Sequence, residues 1–394
     1  MSRILRIGLA AALLPAVCVV VYGATPLKLP YGPEGKGRFG AYYTTLKYSP
    51  EWDAQWRVGS KADVVVRFDQ YDYRLVFWRG TNYVPFWVNE NRVWSSFGCV
   101  ERPNASPKWD KLCKYSFASV IESNDARVVI RWRYAPVDKD GKLVNTDPMT
   151  NWSDWVDEYY TIYPDAVAVR NIKFYSSNVD APVYSIQSYS TDFPSLVYKS
   201  TAGMPDAERD TDDPATVSGW QGSDVPSDWS ELGIINGDHI RSSLPIRQTW
   251  KPYAQDKTSK SWMMITWLQR SNVYVNPNKQ VGRSWRKPPQ LTIIQGVCKS
   301  LGYDKGGRAY QLCCTTPGAT KLKLAAGIYN PAFVIKGWGK SDISLSIDGK
   351  PVPRGPDFRY GFRRTDNASD LIIWVKKQST KPVTFEIKPV GGGK

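Results

Sequence analysis

Short runs in which apolar and polar residues alternate recur through most of the 394-residue chain and are rich in Val, Ile, Tyr, Trp and Thr. Gly, Pro, Asn and Asp interrupt these runs, as they do where strands are joined by turns. The clearest predicted strands are 63–68, 73–79, 86–88, 127–134, 158–163, 167–175, 261–268 and 290–295. Beyond the N-terminus, no stretch has the period of an amphipathic helix. The sequence therefore predicts an all-β fold built around a large antiparallel β-sandwich.

The first 24 residues have the composition of a secretory signal peptide. Arg3 and Arg6 precede an apolar run over 7–22, and small-residue spacing before Ala24 suits cleavage. The run is short for a membrane span, so an uncleaved anchor is the weaker alternative. We expect a secreted, periplasmic or cell-surface protein without stable membrane insertion after cleavage.

The chain beyond the signal peptide is predicted to divide at residue 320. Residues 25–320 would form the large β-sandwich and residues 321–394 a small C-terminal β-sandwich domain. The C-terminal part contains the predicted strands 333–335, 344–347, 371–375 and 383–387. An Asp-Gly pair at Asp348 predicts a hairpin turn between two of its strands. Residues 206–228, dense in Asp, Ser, Pro and Gly, are expected to form a long irregular loop.

Five cysteines remain after removal of the predicted signal peptide. An oxidising compartment favours disulfide bonds. We expect one between Cys99 and Cys113, and a second between Cys298 and either Cys313 or Cys314. One thiol is left over.

The charged and histidine residues of the chain exclude several classes of function. Lys and Arg number 52 against 37 Asp and Glu, a net charge of +15, but they are spread along the chain and predict no nucleic-acid partner. His239 is the single histidine, which excludes metal sites that need several imidazoles, and we expect no metal and no cofactor. Asp157 and Glu158 are adjacent in a predicted strand and point to opposite faces, so they do not form the carboxylate pair of a glycosidase.

Polar and cationic residues recur at alternate positions of three predicted strands. With a period of two, they lie on one face of a sheet if these strands are neighbours. The predicted polar face comprises Arg127, Val129, Arg131, Arg133, Asp157, Tyr159, Thr161, Asn171 and Lys173. Guanidinium groups match carboxylate and sulfate groups, and aromatic rings stack on sugars, so this face suits an acidic polysaccharide. The alternative is a solvated face whose cross-strand Arg–Asp pairs neutralise one another.

Two further groups of residues are candidates for a site. Residues 75–94 contain a predicted carbohydrate subsite made of Arg79, Tyr83, Trp87, Asn89 and Trp94. Packing in the core is the alternative for these aromatic residues. His239 follows the predicted loop and is the one imidazole that can shuttle protons near neutral pH, although a surface or packing role is commoner for a lone histidine.

Four segments resemble a group of secreted bacterial all-β proteins from polysaccharide-degrading organisms, which are polysaccharide-lyase-like. They are FWRGTNYVPFWVNEN at 77–91, DARVVIRWRY at 125–134, DEYYTIYPD at 157–165 and NPAFVIKGWG at 330–339. The resemblance covers most of the mature chain. It implies a large all-β fold with a small C-terminal sandwich, and it supplies no catalytic assignment.

The leading hypothesis is a polysaccharide lyase that cleaves a uronate-containing glycan, with or without sulfate groups, by β-elimination. This reaction needs a cation at the uronate, a base and an acid. Arg131 or Arg133, together with Arg79, would neutralise the carboxylate. Tyr83 or Tyr159 would act as base or acid, with a pKa lowered by a nearby guanidinium, and His239 is the alternative base.

The remaining predicted site residues would bind the substrate. They are Trp87, Asn89, Trp94, Asn171 and Lys173. The alternative hypothesis is a non-catalytic binding protein for anionic polysaccharides, which shares the polar face but lacks the proton chemistry. The sequence makes no prediction of the oligomeric state.

Overall fold

A computed structural model defines the fold over most of the chain. It describes residues 37–46, 62–72, 74–88, 94–96, 99–101, 104–110, 112–176, 185–187, 220–221, 232–235, 240–243, 246–248, 258–268, 281, 283–285, 287–365 and 368–390. The predicted signal peptide, almost all of the predicted loop at 206–228, and His239 lie outside the described residues.

The N-terminal part of the described chain forms a five-stranded antiparallel sheet. Its strands, in both sequence and spatial order, are β1 (Gly40–Thr44), β2 (Asp63–Arg67), β3 (Arg74–Phe77), β4 (Pro85–Val88) and β5 (Trp94–Ser96). A short 3-10 helix, Arg79–Thr81, connects β3 to β4, and a second one spans Pro107–Trp109. Every residue of β2 and β4 is buried, so both faces of these strands are covered.

A larger antiparallel sheet follows in the chain. The next strands are β6 (Cys99–Glu101), β7 (Ser116–Ser123), β8 (Val128–Tyr134), β9 (Trp155–Ile162), β10 (Val167–Ser176), β11 (Ser185–Gln187), β12 (Trp220–Gln221), β13 (Leu232–Ile235), β14 (Ile240–Ser243), β15 (Ile246–Gln248) and β16 (Thr258–Leu268). The spatial order is β13-β14-β16-β10-β9-β8-β7, and β15 also pairs with β16. Strands β12, β11 and β6 form a separate three-stranded sheet.

The five-stranded sheet packs against one face of strands β7 to β10. Residues of both sheets share one hydrophobic core, in which Phe77 of β3 meets Tyr160 of β9 edge-on with ring centroids 5.1 Å apart. In β8, Ile130 and Trp132 point into this core and are fully buried, whereas the residues that alternate with them are half-buried on the opposite face. The period-two pattern of the sequence therefore sets which side of the sheet faces the core.

The C-terminal part of the chain is a second β-sandwich with its own core. Its strands are β17 (Leu291–Gly296), β18 (Lys299–Asp304), β19 (Ala309–Cys313), β20 (Thr320–Leu324), β21 (Ile328–Tyr329), β22 (Ala332–Lys336), β23 (Ile343–Ile347), β24 (Lys350–Val352), β25 (Phe358–Arg364), β26 (Ser369–Val375), β27 (Gln378–Ser379) and β28 (Val383–Pro389). One sheet has the order β17-β20-β28-β23-β24 and the other β18-β19-β22-β26-β25, while β21 pairs with β27.

The all-β prediction is confirmed, because each predicted strand overlaps a strand of the structure. The predicted hairpin at Asp348 joins β23 to β24, with φ angles of 49° at Asp348 and 79° at Gly349. Within the described part of the chain, no helix combines the length and the apolar character that crossing a membrane requires. The predicted domain boundary at residue 320 is wrong, because β17 to β19 belong to the C-terminal sandwich, which therefore begins at Leu291.

The cysteines differ in part from the prediction. Cys298 and Cys314 form a disulfide bond, which settles the choice between Cys313 and Cys314. The predicted bond between Cys99 and Cys113 is wrong, since both are buried reduced thiols. Cys113 donates a 3.3 Å hydrogen bond to the Arg79 carbonyl oxygen, and Cys99 donates a 3.4 Å hydrogen bond to Glu101 Oε1. The two thiols therefore have different hydrogen-bond partners.

Removing this disulfide with Cys298→Ser/Cys314→Ser is expected to destabilise the C-terminal sandwich by about 3 kcal/mol, the value for a loop of this length. The bond closes a sequence separation of 16 residues. Urea unfolding followed by tryptophan fluorescence measures the loss. Cys313→Ser is the matched control and is expected to change the free energy of unfolding by less than about 0.5 kcal/mol. Equal unfolding midpoints for the double variant and the unaltered protein would contradict the prediction.

Candidate functional site

Strands β8, β9 and β10 lie side by side and bring the predicted polar residues together. Across these strands Arg131 pairs with Tyr159, and Tyr159 pairs with Asn171. In the next row Arg133 pairs with Asp157, and Asp157 with Lys173. We call the solvent side of these strands the outer face. It comprises Arg131, Arg133, Trp155, Asp157, Tyr159, Asn171, Lys173 and Tyr175.

The outer face is open at one end and covered at the other. Arg131 and Arg133 keep 27% and 23% of their side-chain surface exposed. Towards the start of β10, Val167 and Val169 are buried in a small cluster with Val281 and Trp285. Ligands can therefore reach the part of the sheet around the two arginines, whereas the other end belongs to the junction with the C-terminal sandwich.

Asp157 is the counter-ion of both arginines on the outer face. Its Oδ1 accepts from Arg131 Nε at 2.9 Å and lies 2.8 Å from Nη2, while its Oδ2 lies 3.5 Å from Arg133 Nη1. The carboxylate is 3% exposed. The cross-strand Arg–Asp pairs of the alternative interpretation are thus present, and Lys173 is a third cation on the described part of this face.

Aromatic rings hold the cations of the outer face. The Arg133 guanidinium lies 4.8 Å from the centroid of Trp155. Lys173 Nζ lies 5.2 Å and Arg131 Cζ 6.0 Å from the centroid of Tyr159. Such contacts hold a long cationic side chain in place, and the side chain keeps its positive charge. The face therefore presents positioned cations beside rings on which a sugar can stack.

The tyrosines of the outer face are harder to deprotonate than free tyrosine. Burial raises the pKa of Tyr159, and the Asp157 carboxylate adds to the effect, while Arg131 and Arg133 offset it in part. Burial and Asp157 likewise raise the pKa of Tyr175 to about 12. The prediction of a lowered pKa is wrong for Tyr159, because desolvation outweighs the guanidinium charges. Both phenols are neutral at neutral pH and suit hydrogen bonding better than proton abstraction.

The predicted carbohydrate subsite in residues 75–94 is largely part of the core. Arg79, Tyr83 and Trp87 are 4%, 1% and 0% exposed. Tyr83 donates a 3.1 Å hydrogen bond to the Ala62 carbonyl oxygen, and burial raises the pKa of its phenol. Their assignment to substrate binding and proton transfer is therefore corrected, since all three side chains are buried.

The other predicted residues have different outcomes. Arg127 is 3% exposed and forms a 2.7 Å ion pair with Glu122 just before β8, so it does not join the outer face. Asn89 and His239 lie outside the described residues, and of Trp94 the backbone alone is described, in β5. Among the described residues, no three His, Cys, Asp or Glu side chains cluster as a metal site requires.

The sequence analysis missed two aromatic members of the outer face, Trp155 and Tyr175, which are cross-strand partners. The signal was available, because both continue the period of two that links Asp157 to Tyr159 and Asn171 to Lys173. Tyr115 extends the aromatic area, meeting Trp155 edge-on with ring centroids 6.3 Å apart. Trp155 is the first residue of β9 and Tyr175 the last but one of β10, so they lie at the end of these two strands.

Comparison with known proteins gives no indication of function, so the function is argued from the geometry of the site. No protein-family model matches the chain. No curated protein matches it either. The fold and the site define a large β-sandwich that carries a cationic, aromatic outer face on three neighbouring strands, with a second β-sandwich at its C-terminal end.

Proposed function

We propose that the protein is an exported carbohydrate-binding protein whose outer face holds an acidic polysaccharide containing uronate, with or without sulfate groups. The observation that carries the proposal is the convergence of Arg131, Arg133 and Lys173 on one side of three adjacent strands, each in contact with an aromatic ring. Guanidinium groups favour carboxylate and sulfate, and the rings favour sugars. The presence of both on one face favours a charged glycan over a neutral one.

Binding is favoured over cleavage by the state of the proton-transfer groups. β-Elimination needs a group that takes up a proton near neutral pH. On the described outer face the raised pKa values of Tyr159 and Tyr175 oppose that role, and Asp157 is engaged by two guanidiniums. These groups do not hinder the binding of an anionic chain.

A polysaccharide lyase remains the second candidate, and a specific feature favours it. Tyr159 lies between Arg131 and Lys173, so a neutral phenol stands beside two cations that would neutralise a uronate. A neutral phenol suits the acid that protonates the leaving oxygen. Ultraviolet absorbance of unsaturated products during incubation with alginate or polygalacturonate separates the two candidates, because binding alone produces no such signal.

The full chain is expected to bind alginate, polygalacturonate or dextran sulfate, and to bind neutral dextran far less. The affinity should fall as salt rises, because exposed charges are screened. In Arg131→Gln/Arg133→Gln two charge-assisted contacts are lost, so we expect about 100-fold weaker binding. Isothermal titration calorimetry measures both effects.

Two further variants keep this test specific. Arg131→Gln/Arg133→Gln/Asp157→Asn removes the buried carboxylate as well, and circular dichroism shows whether each variant is folded. Arg363→Gln is the matched control, because Arg363 forms a 2.6 Å ion pair with Asp370 on the C-terminal sandwich and is 40% exposed. We expect it to bind like the unaltered protein. Equal affinity for dextran and dextran sulfate, or full affinity in the folded triple variant, would refute the proposal.

A further inference from the structure

The outer face continues onto β7, which borders β8 on the side away from β9. Phe117 is the cross-strand partner of Arg133, and Ser119 is the partner of Arg131. Ala118, which lies between them, packs against the core, so the two side chains beside it point outwards. Phe117 is 39% exposed and therefore adds an accessible aromatic ring next to a cation of the outer face.

The character of the side chains changes from strand to strand along this face. One row of direct cross-strand partners consists of Phe117 on β7, Arg133 on β8, Asp157 on β9 and Lys173 on β10. The next row consists of Ser119, Arg131, Tyr159 and Asn171 in the same strand order. The cations of both rows therefore stand on β8 and β10. Strand β7 contributes a ring, and β9 contributes a carboxylate and a phenol.

The spacing of these strands matches the repeat of a glycan chain that lies across them. Neighbouring strands are about 4.8 Å apart, so Arg133 and Lys173 stand on strands about 10 Å apart. One sugar unit lengthens a glycan chain by a distance similar to one strand spacing. The chain would therefore offer every second unit to a cation, and the units between them would lie over Phe117 and Asp157.

The residues at these intermediate positions favour uncharged units. Asp157 already engages both arginines, so a uronate above it would add a second negative charge at the same place. The side chain of Phe117 has no polar group, and its ring suits the C–H face of a neutral sugar.

The covered end of the outer face determines the direction of the chain. The third row ends in Thr161 and Val169, which are 6% and 0% exposed. A chain that followed the strands would meet this covered end two rows after Arg133. A chain that crosses the strands passes instead over the exposed side chains of Phe117 and Arg133.

We propose that the outer face and Phe117 together bind a glycan in which acidic and neutral sugars alternate. The inference rests on the proposed function, which it makes more specific. The acidic units lie at Arg133 and Lys173, one neutral unit stacks on Phe117, and another lies over Asp157. Attraction between charges alone favours the ligand with the most anionic groups, so the proposal predicts a preference in the opposite direction.

Oligosaccharides of equal length test this preference on the unaltered full chain. A hexasaccharide of the rhamnogalacturonan backbone alternates galacturonate with rhamnose, and one of hyaluronan alternates glucuronate with N-acetylglucosamine. Both carry half the charge of hexagalacturonate. We expect at least one of them to bind about tenfold more tightly than hexagalacturonate, because neutral units replace uronates at Phe117 and Asp157. Isothermal titration calorimetry at one salt concentration measures all three affinities.

A substitution of Phe117 tests the stacked unit directly. Phe117→Ala should weaken binding of the preferred hexasaccharide about tenfold, the value of one stacked ring, and should leave its salt dependence unchanged, because no charge is lost. Phe117→Tyr keeps the ring and should bind like the unaltered protein. Ile121→Ala is the matched control, because Ile121 is a 57% exposed apolar residue at a bulge of the same strand, beyond both rows of cations. It should not change the affinity, and circular dichroism shows whether each variant is folded.

The outcomes separate this inference from the proposed function. If hexagalacturonate binds at least as tightly as both alternating hexasaccharides, alternation is refuted and anion binding stands. Full affinity in folded Phe117→Ala refutes the stacked unit, and an equal loss in Ile121→Ala refutes a chain that crosses the strands. If the protein binds no acidic polysaccharide, the proposed function fails and this inference fails with it.

Discussion

Arg170→Met is expected to destabilise the large sandwich by about 3–5 kcal/mol, the cost of leaving a buried charge without its partner. Arg170 and Glu158 are both fully buried, and Nε and Nη2 of Arg170 each donate to Glu158 at 2.7 Å. The hydroxyls of Tyr134 and Tyr160 donate to the same carboxylate. Removing the guanidinium leaves these two hydroxyls as the partners of the Glu158 carboxylate among the described residues, which is too few for a buried charge.

Urea unfolding of the full chain measures this loss. Glu158→Gln/Arg170→Met removes both charges and is expected to recover most of the stability. Arg363→Met, which breaks the exposed pair with Asp370, is the matched control and should cost less than about 1 kcal/mol. If Arg170→Met unfolds at the same urea concentration as the control, burial of the pair is not what stabilises the sandwich.

This ion pair also supports the geometry of the outer face. Glu158 lies between Asp157 and Tyr159 in β9, and it points to the core while they point outwards. Its bond to Arg170 joins β9 to β10 directly behind the outer face. The core contact therefore supports the register that brings Arg131, Tyr159 and Asn171 into one row.

The outer face was predictable because one local rule decides it. In β8, Ile130 and Trp132 must be buried, and a strand that buries them turns Arg131 and Arg133 to the other side. The rule fails at Arg127, since β8 begins one residue later at Val128 and Arg127 turns to Glu122. Alternation says nothing about residues just beyond the end of a strand.

The core position of Arg79, Tyr83 and Trp87 was less predictable. Trp87 lies in β4, which is buried on both faces, so its sequence lacks the alternation that separates inward from outward residues. Arg79 and Tyr83 lie in the connection between β3 and β4, where the alternation of a strand does not apply. The buried Glu158 and Arg170 are a second example. Each stands at a core-facing position of its strand. The two are 12 residues apart in the sequence, so whether they form an ion pair depends on how β9 and β10 are aligned.

The domain boundary was misplaced for a related reason. Strands β17 and β18 are mostly exposed, so they contribute few residues to the core and give a weak apolar signal. Their assignment follows from pairing with β20 and β19, which is a long-range property of the sheet. The sequence of either strand alone does not specify that partner.

Arg308→Met is expected to destabilise the junction of the two sandwiches by about 3–5 kcal/mol. Arg308 lies between β18 and β19, and its Nη1 and Nη2 donate to Asp165 at 3.2 and 3.0 Å. The pair is buried, with 3% and 6% of the side chains exposed. Asn330 Nδ2 donates to the same carboxylate at 2.9 Å, but an amide does not replace the lost positive charge.

A second ion pair across the same junction provides the control. Arg354 of the C-terminal sandwich lies 2.8 Å from Asp125 of the large one, but their side chains are 49% and 30% exposed. Arg354→Met should therefore cost less than about 1 kcal/mol, because water and salt already screen that pair. Urea unfolding of both variants compares two Arg–Asp pairs that differ in burial, and Asp125 also keeps Arg38 at 2.7 Å as a second cation. Equal losses would show that contact between the sandwiches, rather than burial of the charges, determines the stability of the junction.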